Sequence, residues 1–369
     1  MHFLLLTLEY PPQRGGIAQY YSQMVRHWPQ PHQITVLDNQ SKRLVDESFL
    51  GWRRSLGVLW SAIKKNKIDY VLVGQILPLG TAAWFVSFAL KVKYAVFLHG
   101  MDLSFARRSF RKRWLAKRIL ARADKIICAN TYLVELLQKE WGGDLAAKAV
   151  VVNPGVERVV PHSPGHLKQL SSKHRLNGSF VLFSLGRLVR RKGFDRTIEA
   201  LPLLFPYIPA LRYFVAGQGP DEEWLRQWVK KVVEQNPQHK DQLLSAVVFL
   251  GGVSEEEKWA WLDLCDIFIM PARDIGGDFE GFGIVYLEAN LAGKPVIAGR
   301  AGGVKDAVQD GLTGLMVDPD SPQEIARAVL KLYRRPHERA VMGRLGKERA
   351  EEKFAWPQQA VKIIKATAK

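Results

Sequence analysis

The chain has 369 residues, of which 47% are apolar and 24% charged, with a formal charge of +17 at pH 7. So much apolar material excludes wholesale disorder, and the length suits two domains of about 150–200 residues each. Two cysteines, Cys128 and Cys265, lie far apart in apolar runs; they build neither a zinc cluster nor a disulfide framework and are expected as buried thiols.

Taken in order, short apolar runs occupy 2–8, 33–39, 69–75, 94–100, 125–130 and 149–155, then 179–186, 211–219, 246–252, 266–272, 295–299 and 314–320. Helix-length amphipathic stretches separate them. Continuous apolar runs signal strands buried on both faces, as in parallel sheets flanked by helices. Two sets of six predict two doubly wound α/β domains, 1–160 and 179–354. The Pro-, Gly-, Ser- and His-containing stretch 157–178 has no sustained apolar period, and a linker is expected over 161–178. Ligands of such sheets bind outside the carboxyl ends of the strands, which makes a cleft between the domains the expected active site. The opening run 2–8 is too short for a leader, and the apolar stretch 76–90, closed by Lys91 and Lys93, falls short of the roughly 20 residues a spanning helix needs. A cytoplasmic protein is expected.

The charge is unevenly spread. Residues 1–177 hold 26 Lys+Arg against 11 Asp+Glu, whereas 178–369 hold 27 against 25. Two stretches, 51–67 and 105–125, supply most of the excess, and their bland reading is a solvated helix face. Trp52, Leu56, Trp60, Phe105, Phe110 and Trp114 interleave with the basic residues, as in helices that insert shallowly into anionic headgroups. Trp52, Arg53, Arg54, Arg107, Arg108, Arg111, Lys112, Arg113 and Trp114 are the membrane-contact candidates. The basic residues of 105–125 do not segregate onto one helical face, so a basic site for a phosphorylated acceptor stays open.

Five turns carry candidate chemistry. Gly15-Gly16 follows the first strand; paired glycines there let backbone N–H groups reach a phosphate, or simply serve packing. His99-Gly-Met-Asp102 puts a histidine at a strand's carboxyl end, with Asp102 placed to orient it; a packed histidine is the alternative. Gly186-Arg187-Leu-Val-Arg190-Arg191-Lys192-Gly193 is a cationic turn suited to a pyrophosphate, or only solvated. Gly217-Gln-Gly-Pro-Asp221 reads as a structural helix start.

The fifth is Glu280-Gly-Phe282-Gly283-Ile284-Val-Tyr-Leu-Glu288. If 281–283 open a helix, Glu280 and Glu288 share nearly one side of it. At a rise of about 1.5 Å per residue they stand about 12 Å apart. That is too wide for an acid/base dyad on one bond and right for the two ends of a nucleotide sugar.

With these pieces assembled, the chain resembles the family-4 class of retaining GT-B glycosyltransferases. The resemblance rests on Gly15-Gly16, His99-Gly-x-Asp102, Asn153-Pro-Gly-Val-Glu157, Gly186-Arg187 with Arg191-Lys192-Gly193, Glu280-x7-Glu288, Gly302-Gly303 and Asp310-Gly-Leu-Thr-Gly-Leu315, in the family's order over nearly the whole chain. The stretch 279–289 looks most like phosphatidylinositol-mannoside and related GDP-mannose-using enzymes. The resemblance implies a GT-B fold, two Rossmann-like domains facing a cleft, with residues 355–369 returning as a helix to the first. It implies that Gly16 gives its amide to the donor phosphate, with Gly15 and Asp102 on the acceptor side. Arg187 and Lys192 would bind the pyrophosphate, and His99 would lie beside the hexose. Glu280 and the amides of Phe282, Gly283 and Ile284 would hold hexose hydroxyls and the distal phosphate; Glu288 would hold the ribose, and the base would lie near Val253. No metal or other cofactor is expected, because Arg187 and Lys192 supply the cations.

The leading expectation is a retaining hexosyltransferase, GDP-mannose favoured, acting on a lipid-linked or membrane-presented acceptor while bound peripherally to the inner face of an anionic membrane. The same fold with a UDP-sugar and a soluble or phosphorylated acceptor is the alternative, and a phosphorylase or sucrose-synthase-like enzyme is a further one. A basic nucleic-acid-binding protein is the reading from another class. No nucleic-acid module is recognisable, and that reading leaves Glu280-x7-Glu288 unexplained, so nucleic acid is not an expected partner.

Overall fold

A computed structural model describes residues 1–13, 15–46, 51–107, 109–158 and 164–368. The chain divides into two compact units: Met1–Gly155 with Phe354–Lys369, and Val156–Lys353.

The first unit holds a parallel six-stranded sheet of β1 (His2–Leu6), β2 (Gln33–Leu37), β3 (Tyr70–Val73), β4 (Lys93–Leu98), β5 (Lys125–Cys128) and β6 (Ala149–Val151). Their spatial order is β2-β1-β3-β4-β5-β6. All four residues of β3 are buried, so helices cover both faces of the sheet. On one face Phe3, Leu5, Leu72, Phe97 and Ile127 pack against Tyr20 and Tyr21 of α1 (Gly16–Arg26). The C-terminal helix Trp356–Thr367 brings Trp356, Ala360 and Ile363 to that same core, as the resemblance implied. Gly155 faces the Trp356 ring so closely that a Cβ there would lie 2.5 Å from it. On the other face lie α2 (Arg54–Asn66), α3 (Leu79–Leu90) and α5 (Phe110–Arg122), with the short α4 (Met101–Arg107) after β4.

The second unit repeats the plan with β7 (Phe180–Leu185), β8 (Leu211–Ala216), β9 (Val247–Gly251), β10 (Ile267–Met270), β11 (Val296–Gly299) and β12 (Gly314–Val317), in the order β12-β11-β10-β7-β8-β9, all parallel. Leu182, Tyr213, Val215, Ile269 and Ile297 face Ile198, Leu225 and Val329 from helices on one side. Trp261, stacked on Phe183 and tilted against Phe214, closes the other. In each sheet one pair of neighbours marks where the winding reverses, β1/β3 and β7/β10. Loops leaving those carboxyl ends splay apart and leave room for a ligand.

Eleven of the twelve strands fall within the apolar runs, and β4 starts one residue early, at Lys93. The expected linker does not match what is there. Its first residues, 161–163, lie outside the described ones, but Pro164–Lys173 is a helix of the second unit, packed with buried Leu170 on the helix Glu255–Leu264. Its apolar period, Leu167 and Leu170 among polar residues, is too thin to announce a helix. Both cysteines are buried free thiols, and burial pushes each up to about 12.

Candidate active site

In the second unit the cationic turn after β7 and the loop after β10 meet at the winding reversal. Arg190–Lys192 forms one 3-10 turn. Lys192, itself buried, puts its Nζ 2.5 Å from Glu280 Oε2, and Arg191 reaches the same oxygen at 2.9 Å while its Nε holds Asp278 at 3.1 Å. Burial would raise the Glu280 carboxyl, but Lys192 and Arg191 outweigh it and hold the group below the usual carboxylate range. Arg187 is exposed and forms no ion pair among the described residues. The Glu280 backbone is fixed too: its carbonyl accepts from Gly303 N–H at 3.0 Å, and a Cβ on Gly302, at φ +54, would strike that carbonyl at 2.4 Å. That is the local reason for Gly302-Gly303.

The helix after this loop is Ile284–Leu291, with Gly283 (φ +80) at its N-cap. A helix's first amides have no acceptor within it, so Ile284 and its neighbours suit an anion or hydroxyl. This start corrects the helical-face expectation. Glu280 lies in the loop, four residues before the first helical turn, so the separation of about 12 Å derived from helical rise does not apply. Glu288, one turn into the helix and nearly buried, is held by Lys258 Nζ at 2.7 Å, and Lys258 also binds Glu255 at 2.7 Å. Burial lowers the Lys258 ammonium's affinity for its proton, yet the two carboxylates raise it above its ordinary value. Val253 sits in the turn after β9, one residue before Ser254, which forms a reciprocal capping box with Glu257. Gly217 and Gly219 have the structural role read for them, since a Cβ on either would strike the Gly186 or Leu188 carbonyl.

In the first unit Gly15 is the N-cap of α1 and Gly16 its first residue. A Cβ on Gly16 would meet nothing within 4 Å, so packing does not account for that glycine. His99, at the end of β4, bonds through Nε2 to Tyr21 Oη at 2.8 Å. Tyr21 gives its own proton to the Gly74 carbonyl at 2.9 Å, so the imidazole donates from Nε2 and keeps a lone pair on Nδ1. Burial pushes His99 down to about 4, leaving it neutral at pH 7. Asp102 does not orient the ring as expected: its Oδ2 accepts from the His99 backbone N–H at 2.9 Å. Burial, despite that bond, pushes Asp102 up to about 6, and Glu9 nearby is raised as well.

Residues 14–159 match the family model described as Glycosyltransferase Family 4, and residues 168–349 match Glycosyl transferases group 1. A GDP-mannose-dependent alpha-(1-6)-phosphatidylinositol monomannoside mannosyltransferase of Mycobacterium tuberculosis (strain ATCC 25618 / H37Rv) is 30% identical over 385 residues, spanning 98% of this chain and 96% of that one. The chain belongs to glycosyltransferase family 4. A protein of the same description as the M. tuberculosis one, from Mycolicibacterium smegmatis (strain ATCC 700084 / mc(2)155), is 28% identical over 379 residues, 98% of this chain and 96% of that one. Among solved structures, Anabaena HepE in complex with UDP superimposes with a TM-score of 0.79 at 20% identity, covering 100% of both chains. Sucrose-phosphate synthase from Thermosynechococcus elongatus gives 0.78 at 18% identity, over 99% of this chain and 97% of that one. These likenesses place the glycosyltransferase in the GT-B fold class.

The structure adds pairings that the sequence of this glycosyltransferase did not assign. Arg191 shares Glu280 with Lys192, Lys258 holds Glu288 across 30 residues of chain, and Tyr21 holds the His99 ring. Buried Asp195 anchors the Arg191 turn: it holds Arg273 at 2.8 Å, and the Arg273 N–H donates to the Arg191 carbonyl at 2.8 Å. No local spacing announces such pairs.

The membrane-contact candidates separate into two kinds. Arg107 pairs with Glu140, Arg113 donates to the Glu140 carbonyl, and Arg54 pairs with Asp46. Arg53, Arg111, Phe110 and Trp114 are exposed; Trp52 is half-buried and stacks on Phe85; Lys112 lies over the Phe105 ring. Arg108 lies outside the described residues.

Proposed function

We propose that this glycosyltransferase moves a hexose, with mannose from GDP-mannose favoured, to a lipid-linked or membrane-presented acceptor with retention of anomeric configuration. The observation carrying the donor assignment is the Arg191–Glu280–Lys192 cluster at the β7/β10 reversal, with Arg187, which has no ion pair among the described residues, in the same turn. Glu280, kept ionised, accepts hydrogen bonds from hexose hydroxyls and holds Lys192 where a diphosphate would lie. Arg187 and Lys192 neutralise the leaving diphosphate, a fixed electrostatic stabilisation that needs no divalent ion. The amides at Phe282, Gly283 and Ile284 take the distal phosphate and hexose hydroxyls, and Glu288 takes the ribose. Gly16 offers an amide to the donor phosphate, and neutral His99 lies by the sugar. Reaction proceeds on one face through an oxocarbenium-like state, the departing phosphate helping to remove the acceptor's proton.

The mannosyl preference is supported by the two relatives' names, and the lipid-linked acceptor by those names and by the basic, aromatic surface of the first unit. Among the described residues no helix is long and apolar enough to cross a membrane, so the proposed association is peripheral. A second reading, a UDP-sugar donor, is favoured by the likeness to HepE in complex with UDP. A thermal-shift panel of GDP, GDP-mannose, UDP and UDP-glucose separates the two. A response to the guanosine pair alone is expected, and a response to the uridine pair alone would overturn the donor. Transfer is expected to persist in EDTA; complete loss restored by a divalent ion would overturn metal independence.

A further inference from the structure

The apolar stretch 76–90 crosses no membrane, and nothing in the donor site uses it. It contains α3, whose sequence LGTAAWFVSFAL has no charged residue, yet Phe85 is 48% and Phe88 53% exposed on its outer side. A surface helix with no charge and bare aromatics is anomalous for a protein surrounded by water alone. Two cavities flank it. One, of about 320 Å³, is an apolar groove between α2 and α3 lined by Leu56, Gly57, Trp60, Phe85 and Val86. The other, of about 420 Å³, begins at the next residue, Ser87, and is lined by Lys91, Lys93, Arg122, Lys148 and one carboxylate, Asp124.

Four cations and one carboxylate make this second cavity an anion's environment. Not all four are available. Arg122 donates to the Ser87 hydroxyl and carbonyl, and Lys148 to the carbonyls of Ala121 and Ala123, so both are engaged at the carbonyl ends of α3 and α5. Lys91 makes no ion pair among the described residues, and Lys93 reaches Asp124 only at 3.9 Å. Phe85 and Phe88 stand three residues apart on α3, and Lys91, the left-handed C-cap just past its end (φ +53), lines the second cavity. Arg122, over the Phe88 ring at 3.6 Å, joins the two ends.

We infer that this face of α3 binds one anionic phospholipid of the bilayer, its acyl chain in the Leu56–Trp60–Phe85 groove and its phosphate at Lys91 and Lys93. The inference rests on the membrane part of the proposed function and gives it a place. It involves none of the donor-binding residues.

The test uses the full chain and sedimentation with phosphatidylcholine vesicles, with and without phosphatidylglycerol. Lys91→Gln with Lys93→Gln is expected to weaken binding to the phosphatidylglycerol vesicles about tenfold or more. Phe85→Ser with Phe88→Ser is expected to weaken it similarly. Lys230→Gln with Lys231→Gln, a matched charge change on the second unit, is expected to leave binding within about twofold. Each variant's unchanged circular dichroism spectrum and melting transition shows that both units are folded. Equal losses for both lysine pairs would mean diffuse attraction and would overturn the site. Competition by free glycerol phosphate would overturn the bilayer as its source. Failure of the unaltered chain to bind phosphatidylglycerol vesicles would instead remove the membrane reading itself, leaving the donor assignment standing.

Discussion

In the second unit of this glycosyltransferase, each buried carboxylate described above carries a cation: Glu280 has Lys192 and Arg191, Glu288 has Lys258, and Asp195 has Arg273. In the first unit, where nearly all the net charge resides, Asp102 and Glu9 have no ion pair among the described residues, and burial raises both. The near-neutral half pairs these buried carboxylates with cations; the basic half does so at buried Asp38, with Arg43, and carries its surplus outward on α2 and α5. Net charge therefore says little about where a fold does electrostatic chemistry. It reports what the surface meets.

The contrast can be broken most severely at Lys192. Lys192→Ala leaves Glu280 paired with Arg191, so the fold should persist while transfer falls by about 10²–10³-fold, as when one fixed charge-stabilising donor is removed. Steady-state turnover beside an unchanged melting transition would show it, and near-normal turnover would sink the donor assignment.

A structural pair should respond differently. Lys258→Met strands buried Glu288 and should cost about 3–5 kcal/mol in denaturant unfolding, whereas Lys258→Met with Glu288→Leu should recover most of that. A single-variant cost below about 1 kcal/mol would show that the pairing is not what holds this corner together.

The smallest effect sharpens the first-unit side. Asp102, raised to about 6 on folding, adds stability at low pH that is lost as pH rises toward and through 6. His99, lowered to about 4, adds stability at pH 7 that is lost as pH falls from 6.5 through 4. The two slopes oppose each other, so this site should contribute little net pH dependence. Asp102→Asn keeps an acceptor for the His99 backbone N–H and removes one slope. The variant should gain about 1–2 kcal/mol at pH 7.5 and lose it on acidification to pH 4. Parallel melting curves for both proteins across that range would contradict the assignment.

Much of the architecture was legible because buried parallel strands write themselves as uninterrupted apolar runs, and the candidate turns lie in the loops that come after such runs. Glu280, Lys192 and Gly283 could be found that way. The relation between Glu280 and Glu288 could not, because Gly283 delays the helix and removes Glu280 from its face. Lys258 and Tyr21 were hidden for another reason: their partners are brought to them by sheet order, which local spacing does not encode. The helix Pro164–Lys173 is not legible in the sequence because two leucines among polar residues look like a loop.

Trp356, Ala360, Ile363 and Ile364 sit in a core otherwise built from residues before 156. On the ribosome, the first unit must therefore wait with an unfilled groove beside Tyr20 and Gly155 until the whole second unit has been made. The earliest half synthesised is the last to be finished. A fragment ending near 155 should expose that groove, and a nick near 354 should loosen the basic half while sparing the second unit.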